Sequence, residues 1–256
     1  MVDHLSYSST QTYLSCPRSW RFHYLDQIET PKSAALVFGS AFHNTIEERV
    51  KTTSQGDMLS LVERWQQHWT AQLKQTGEIS WDGDTPEAMC NLGVRMLSDS
   101  DIAALINSLK PALEGEKPQI ELSVTLIVPG VPIPVIGFVD MIEQDGVPCD
   151  FKTSARSWSQ ERAQTDMQPA FYLAALNQMG YRDPELRFRH YVFLKTKKPQ
   201  VQIWETQRTW RDMFYVFELV SGVWKAIESG VFIPHPGGWK CSEKYCEYWG
   251  ICRGGK

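Results

Sequence analysis

The amino-acid sequence predicts an α/β fold, and three features of its patterning support that class. Residues 1–116 repeat apolar side chains at helical spacing and carry several helix-start signals. Residues 117–153 are rich in β-branched and aromatic side chains and are interrupted by turn dipeptides. Beyond Ser157, helical patterns alternate with two more β-rich runs before a tail rich in Pro, Gly and Cys. Strands enclosed by helices on both sides are typical of a layered α/β core.

Length and composition exclude several other classes. A chain of 256 residues can bury one sizeable core, so we expect a single domain with a mainly helical part (1–116), an α/β core (117–230) and a tail (231–256). The 10 Trp, 9 Tyr and 11 Phe argue against disorder, and no apolar run approaches the roughly 20 residues of a membrane span. The first residues lack the basic and apolar segments of a signal peptide, so we expect a cytoplasmic protein. A net charge of −4 argues against a protein that coats nucleic acid by bulk charge.

The helical part is predicted from caps and apolar spacing. Ser8 or Ser9 can cap a helix over 10–14, and Pro17 suits the first turn of a helix over 18–25. Ser40 is predicted to cap a helix over 41–50. Three further helices are predicted: an amphipathic one opened by Asp57 and reaching residue 73, one started by Asp84-Thr85-Pro86 and reaching residue 97, and one over 101–109.

The β-rich segments follow in order. Runs over 120–128, 135–144 and 148–153 are separated by Pro129-Gly130 and Asp145-Gly146, which predicts an antiparallel meander. A helical pattern then extends to Gln178. Two more strands are predicted over 188–194 and 201–206, and a helix over 210–228 precedes the tail.

A pair of carboxylates and a lysine carries the strongest chemical signal. Asp140 ends Gly137-Phe138-Val139-Asp140, and Asp150 begins Asp150-Phe151-Lys152 ten residues later. Residues two apart on a strand share a face, so Asp150 and Lys152 project together. The pattern places a ligand for a hard divalent cation beside an ammonium that can orient a water molecule or stabilise developing negative charge.

The length of the turn decides whether Asp140 joins them. A two-residue turn at Asp145-Gly146 would place Asp140 across from Phe151, facing away from Asp150. A three-residue loop over 145–147, with Gly146 in a positive-φ bulge, would place Asp140 across from Lys152, with all three polar groups on one face. We predict the odd-length loop or an equivalent bulge.

Other polar residues are candidates for the same site. His43, four residues after Gly39, can supply a neutral imidazole to a Mn²⁺-like ion. Gln168 and Tyr172 lie one helical turn apart and can contact a phosphate or the lysine. Glu121 can supply another oxygen or be an ordinary polar strand residue, and the sequence leaves both readings open.

In this order and on these elements, His43, Asp140, Asp150-Phe151-Lys152 and Gln168-x-x-x-Tyr172 resemble the PD-(D/E)XK nucleases of the RecB-like branch, including the AddB nuclease domain and CRISPR-associated RecB-like exonucleases. The resemblance implies a restriction-endonuclease-like core with a central mixed sheet flanked by helices. It also implies that one or two Mg²⁺ or Mn²⁺ ions are held by His43, Asp140, Asp150 and the Phe151 carbonyl. Lys152 would activate water, and Gln168 and Tyr172 would assist at the phosphate. Asp150 stands where many relatives carry Glu.

Four cysteines form a second constellation. Cys241, Cys246 and Cys252 lie within twelve residues, and together with Cys16 they can converge on one soft metal centre, either structural Zn²⁺ or an iron–sulfur cluster. The arrangement resembles the iron–sulfur subset of RecB-like nucleases, which implies a 4Fe-4S cluster tying the chain ends together, although the Cys241-to-Cys246 gap is wider than usual there. Cys90 and Cys149 are interpreted as buried thiols.

Basic and aromatic side chains suggest where nucleic acid is held. Two basic groups can follow a phosphate backbone or form a solvated face: Arg18 with Arg21, and Arg187, Arg189, Lys195, Lys197 and Lys198. The candidates for stacking on bases are Trp20, Trp65, Trp69, Trp158 and Trp239. Trp65 and Trp69 fit the core better, and Trp158 is preferred as a substrate contact.

The resemblance implies a metal-dependent DNA exonuclease that acts on single strands or free ends in recombination, repair or phage DNA processing, in a bacterial or phage-infected cell. The alternatives are a non-catalytic DNA-end-binding partner and an endonuclease of the same fold, on DNA or on RNA.

Overall fold

The computed structural model describes residues 2–52 and 59–254, in which the chain forms ten helices and ten strands. The helices are α1 (Tyr7–Ser15), α2 (Pro17–Tyr24), α3 (Ala34–Thr52), α4 (Leu61–Gln75), α5 (Pro86–Leu97), α6 (Ser100–Ser108), α7 (Gln160–Thr165), α8 (Gln168–Gln178), α9 (Trp210–Glu228) and α10 (Trp249–Cys252). The strands are β1 (Leu5–Ser6), β2 (Lys32–Ser33), β3 (Ile79–Ser80), β4 (Leu113–Glu114), β5 (Lys117–Pro118), β6 (Ile120–Leu126), β7 (Val135–Ile142), β8 (Pro148–Ser154), β9 (Arg187–Leu194) and β10 (Gln200–Gln207). None of these helices is long and apolar enough to cross a membrane.

The main sheet is mixed and has a fork at β7. One edge of β7 pairs with β6 in antiparallel fashion, from Leu126↔Val135 to Ile120↔Met141. The other edge is shared, because β1 pairs with its start in parallel and β8 pairs with its end in antiparallel fashion. The sheet continues through a parallel β8–β9 pair and an antiparallel β9–β10 pair. The predicted central mixed sheet flanked by helices is confirmed, as is the meander of β6, β7 and β8.

Two apolar cores cover opposite faces of this sheet. Phe151 and Phe193 face the core built by α3 to α6, where Phe42 and Trp65 are fully buried. Phe188, at an even position of β9, faces the other core, which contains α1, α8 and α9 and the buried Trp224. Because side chains alternate along a strand, Asp150 and Lys152 point away from the α3–α6 core.

Several predicted helix boundaries are wrong. Ser6, not Ser8 or Ser9, caps α1, through a reciprocal pair of bonds with Ser9. Ser40 lies inside α3, because the apolar stripe that includes Val37 and Phe38 extends the helix upstream. The predicted start at Asp57 lies outside the described residues, and α4 is capped by Ser60.

The helical pattern predicted between residue 157 and Gln178 forms two helices. Asp166 and Met167 separate α7 from α8, and Pro169 lies in the first turn of α8, where its missing N–H costs no hydrogen bond.

Candidate active site

Asp150 and Lys152 form a buried ion pair on β8. The Asp150 side chain is 3% exposed, and the Lys152 ammonium lies 2.9 Å from Oδ1 and 2.7 Å from Oδ2. Burial opposes the positive charge, but the Asp150 carboxylate outweighs it and raises the pKa of Lys152. Gln168 Nε2 donates to the same Oδ1 at 2.8 Å, whereas Oδ2 makes no hydrogen bond of good geometry. Oδ2 therefore keeps lone pairs for a further cation.

The β7–β8 turn brings Asp140 to this face. Glu143 N–H donates to the Val147 carbonyl at 2.9 Å, so the loop is three residues long, and Gly146 has a φ of +83°. The odd length is confirmed, but the loop begins one residue earlier than predicted, and pairing Asp140 with Lys152 is wrong. The register Met141↔Cys149 places Asp140 level with Asp150 instead. Both registers have the same parity, so the two carboxylates share a face.

Asp140 lies where the two strands separate. Pairing between β7 and β8 ends at Met141↔Cys149, and the Asp140 carboxylate accepts the Phe151 N–H at 2.6 Å in place of a backbone carbonyl. Burial and the charge of Asp150 raise the pKa of Asp140 well above its ordinary value. Two buried carboxylates side by side repel each other, and a bound divalent cation would relieve that repulsion.

His43, on helix α3, lies between the Asp140 carboxylate and the Phe151 carbonyl. Its Nδ1 lies 3.5 Å from Asp140 Oδ2, and its Nε2 contacts the carbonyl oxygen of Phe151. Burial lowers the pKa of His43, which favours the neutral imidazole that a metal ion requires. Gly39, one helical turn earlier, faces Thr153, and a Cβ there would lie at an ordinary contact distance of 3.6 Å from Thr153 Oγ1.

Two glutamates extend the acidic cluster. Glu121 has a φ of +50°, a left-handed conformation that a residue with a side chain rarely adopts. Burial, followed by the charges of Asp140 and Glu47, raises the pKa of Glu121 to about 7. Glu47 was missed from the sequence, although it follows His43 by one helical turn and so shares its face.

A group of hydrogen-bonded side chains surrounds Gln168, which contacts Asp150. Gln168 Nε2 also donates to the Tyr172 hydroxyl at 3.0 Å, so the predicted pair is in contact. Asp166 Oδ1 accepts from the Gln168 N–H at 3.0 Å and from the Tyr7 hydroxyl at 2.9 Å. The fully buried His190 places Nε2 3.4 Å from Asp166 Oδ2. Tyr7, Asp166 and His190 were not predicted, because only the tertiary fold brings them together.

The four predicted cysteines line one cavity of about 620 Å³ between α1, α2 and the tail. Cys16 is the N-cap residue of α2, and Cys252 ends α10. None of the four forms a disulfide. Hydrogen bonds from His235 to the Ser15 carbonyl and between His23 and Tyr248 tie the tail to the first two helices. Cys149 is fully buried, as interpreted, whereas Cys90 is partly exposed.

Three of the seven basic residues proposed to follow a phosphate backbone form ion pairs with carboxylates. Arg189 pairs with three carboxylates, those of Glu143, Asp145 and Glu205. Arg187 pairs with Asp183 and Glu185, and Arg21 pairs with Asp26. The Lys195 ammonium lies over the Phe38 ring, and Arg18 lines the cysteine cavity. The solvated or paired face is therefore the better interpretation for Arg187 and Arg189.

The tryptophans divide by burial. Trp20, Trp65 and Trp69 are core residues, so the stacking role suggested for Trp20 is wrong. Trp158 is only 7% exposed, and its ring is covered by Arg162 on one side and contacts His190. Stacking of a base directly on Trp158 is therefore excluded in this conformation. Trp239 is 73% exposed and remains a candidate.

The ligand atoms at the point where β7 and β8 separate suit a hard divalent cation. Two carboxylates, an imidazole and a backbone carbonyl converge there, with Glu121 beside them, and these are the ligand types of Mg²⁺ and Mn²⁺ sites. Within the described residues, no three His, Cys, Asp or Glu side chains are close enough to form a ready metal cage. A cation nonetheless fits there, because Asp150 Oδ2 contacts Lys152 without a hydrogen bond of good geometry and the neighbouring acids repel each other.

Comparison with known proteins gives a family and a fold. The sequence profile of the PD-(D/E)XK nuclease superfamily matches residues 4–253. The crystal structure of a "putative exonuclease" from Eubacterium rectale matches with a TM-score of 0.60 at 14% identity, over 99% of this chain and 88% of that one. The crystal structure of SSO0001 matches with a TM-score of 0.38 at 16% identity, over 96% of this chain and 92% of that one, which is too weak to indicate a shared fold. No curated protein matches.

Proposed function

The chain belongs to the PD-(D/E)XK nuclease superfamily, and from that membership we propose that it is a metal-dependent DNA exonuclease of the RecB-like branch. Its substrate is a single strand or a free DNA end, of the kind that arises in recombination, repair or phage DNA processing. The reaction is hydrolysis of a phosphodiester bond.

One observation carries the proposal. Asp150 and Lys152 project from one face of β8, and Asp140 reaches the same face from β7 at the point where the strands separate. A protein that only binds DNA does not need two buried carboxylates, those of Asp140 and Asp150, with Lys152 beside them. The arrangement does suit hydrolysis, which requires a site for a cation and a group that orients water.

The proposal assigns each side chain a role that its contacts support. His43, Asp140, Asp150 and the Phe151 carbonyl would hold Mg²⁺ or Mn²⁺, which PD-(D/E)XK nucleases typically use and which polarises the scissile phosphate when bound. Lys152, oriented by Asp150, directs its remaining N–H bonds toward the attacking water or the phosphate oxygens. Gln168 orients Asp150, and Tyr172 supports Gln168.

The test uses end-labelled linear single-stranded DNA and a closed single-stranded circle, each with Mn²⁺. We expect the linear strand to be degraded and the circle to survive. Cleavage of the circle would make the protein an endonuclease, and binding of the linear strand without cleavage would favour the non-catalytic alternative. Lys152→Met is expected to abolish cleavage, whereas Lys225→Met removes an exposed lysine of α9 and serves as the matched control.

We also propose that Cys16, Cys241, Cys246 and Cys252 hold a 4Fe-4S cluster. Support comes from their shared cavity, the absence of disulfides among them and the tail's attachment to α1 and α2. Thiolates suit soft metal centres, and structural Zn²⁺ is the competing occupant. Anaerobically purified protein should absorb near ~400 nm, and Cys246→Ser should lose that absorbance while Cys90→Ser retains it. A colourless, zinc-containing protein would rule out the cluster.

A further inference from the structure

A groove opens directly beside the candidate active site. Its volume is about 480 Å³, and its wall includes Tyr7, Lys152, Trp158, Arg162, Asp166 and Gln168. Ligand pockets commonly measure about 300–1,000 Å³, so the groove is large enough for one small ligand group. Because Lys152 and Gln168 belong to both the groove and the acidic cluster, a ligand in the groove would touch the reacting position.

Arg162 supplies the groove with a free cation. Its guanidinium lies over the Trp158 ring, 4.3 Å from the centroid. Among residues 2–52 and 59–254, no carboxylate forms an ion pair with it, in contrast to Arg187 and Arg189. A guanidinium stacked on a ring keeps its in-plane N–H donors available, and their fork geometry matches two phosphate oxygens.

The surroundings hold this arginine in place. The Trp158 backbone is bonded twice to the Gln202 side chain, with Trp158 N–H donating at 2.8 Å and Gln202 Nε2 donating to the carbonyl at 3.3 Å. Arg208 donates to the carbonyls of Ala163 and Asp166, which anchors the end of α7. These bonds fix the backbone on both sides of Arg162, so little backbone entropy remains to be lost there when the arginine binds a ligand.

The acidic residue in the wall is already engaged. Asp166 accepts hydrogen bonds from the Tyr7 hydroxyl and the Gln168 N–H, and His190 lies beside its second oxygen. The Asp166 side chain is only 16% exposed. Because Lys152 is paired with Asp150, Arg162 is the cation of the groove wall that has no carboxylate partner among the described residues, and it is the group that would attract an anion.

We propose that this groove binds the nucleotide next to the scissile phosphate. Arg162 donates two N–H hydrogen bonds to the phosphate of that neighbouring nucleotide. The ligand class is a single-stranded DNA phosphodiester, and the assignment rests on the proposed nuclease function. Trp158 acts as the platform under Arg162 and does not stack on a base.

The experiment measures binding of a labelled single-stranded oligonucleotide in EDTA, where metal-dependent cleavage cannot occur, at several salt concentrations. Arg162→Ala should weaken binding by about tenfold, because a bidentate charge-assisted contact is lost. It should also reduce the slope of log affinity against log salt by about 0.7, the value for one phosphate contact on a single strand. Arg162→Lys should keep the slope and lose part of the affinity.

Arg95→Ala removes an exposed arginine of α5 and should change neither quantity. The proposal is refuted if Arg162→Ala binds like the unmodified protein, or if the two alanine variants weaken binding equally. A protein that binds DNA but never cleaves it would overturn the nuclease function. The Arg162 result would still be read from affinity and salt slope alone, so the two failures can be told apart.

Discussion

Replacement of Lys152 by Met should cost stability as well as activity. Lys152 is the only cation in contact with Asp150 within the described part of the chain, and the Asp150 side chain is 3% exposed. In Lys152→Met the carboxylate loses that partner while remaining buried. The hydrogen bond from Gln168 Nε2 to Oδ1 survives, so one of the two oxygens keeps a donor.

The size of the loss follows from these contacts. Removing one partner of a buried ion pair costs about 3–5 kcal/mol. The Lys152 side chain is 30% exposed, so water can replace part of its interaction, and the retained Gln168 bond lowers the cost further. We therefore expect the free energy of unfolding to fall by about 2–3 kcal/mol, the upper range for one unsatisfied buried polar group.

Urea denaturation measures this change, and a second variant isolates its cause. For an unfolding slope near 3 kcal/mol/M, the Lys152→Met midpoint should fall by about 1 M. The double variant Asp150→Asn, Lys152→Met contains no buried charge at this position and should regain most of the loss, although it should not cleave DNA. An unchanged midpoint for Lys152→Met, or a double variant no more stable than the single one, would refute the reasoning.

Two further predictions concern the neighbours of this pair. In Gly137→Ala the new Cβ would lie 2.8 Å from the Tyr172 ring. We therefore expect the free energy of unfolding, measured by thermal denaturation, to fall by about 1–3 kcal/mol, and cleavage to be slower. Gly222→Ala, which meets open space on α9, should instead gain about 0.5–1 kcal/mol, and equal losses in both variants would contradict the steric account. For Asp166, burial raises the pKa, but the nearby His190 ring and the hydrogen bond from the Gln168 N–H outweigh it and lower the pKa from 3.8 to about 2. The ionised Asp166 carboxylate therefore adds about 2 kcal/mol to the free energy of unfolding above pH 4. This contribution is lost as the pH falls toward 2. The stability difference between the protein and Asp166→Asn should shrink over that window, and a constant difference would argue against it.

Local sequence patterns predicted most strands of the sheet and the antiparallel pairing of β6, β7 and β8. Period-two alternation placed Asp150 and Lys152 on one face, and the parity of the turn placed Asp140 with them. The start of the loop was missed by one residue, which moves the partner of Asp140 by two positions, because Asp145-Gly146 indicates a turn without fixing which residue begins it. The start of α3 was missed for a related reason, since Ser40 is a good cap residue wherever it occurs and the apolar stripe outweighed it.

The unpredicted residues depend on contacts between distant parts of the chain. Tyr7 reaches Asp166 across 159 positions, and His190 meets it only because β9 pairs with β8. No local pattern marks these residues. Arg162 is similar, since it lies in a six-residue polar helix and becomes notable only when Trp158 is seen beneath it. Glu47 is the exception, because its spacing from His43 was visible in the sequence.

The attachment of α1 to the tail affects how the protein is made. Tyr13 of α1 donates a hydrogen bond to the Val231 carbonyl, 218 positions later, and its neighbour Trp20 stacks on Phe232. Contacts of such high sequence separation form late in folding. On the ribosome, the helix that begins with Tyr7 lacks this support until Val231 and Phe232 have emerged. We therefore expect chains that stop before Val231 to lack an ordered groove and to be unable to cleave DNA.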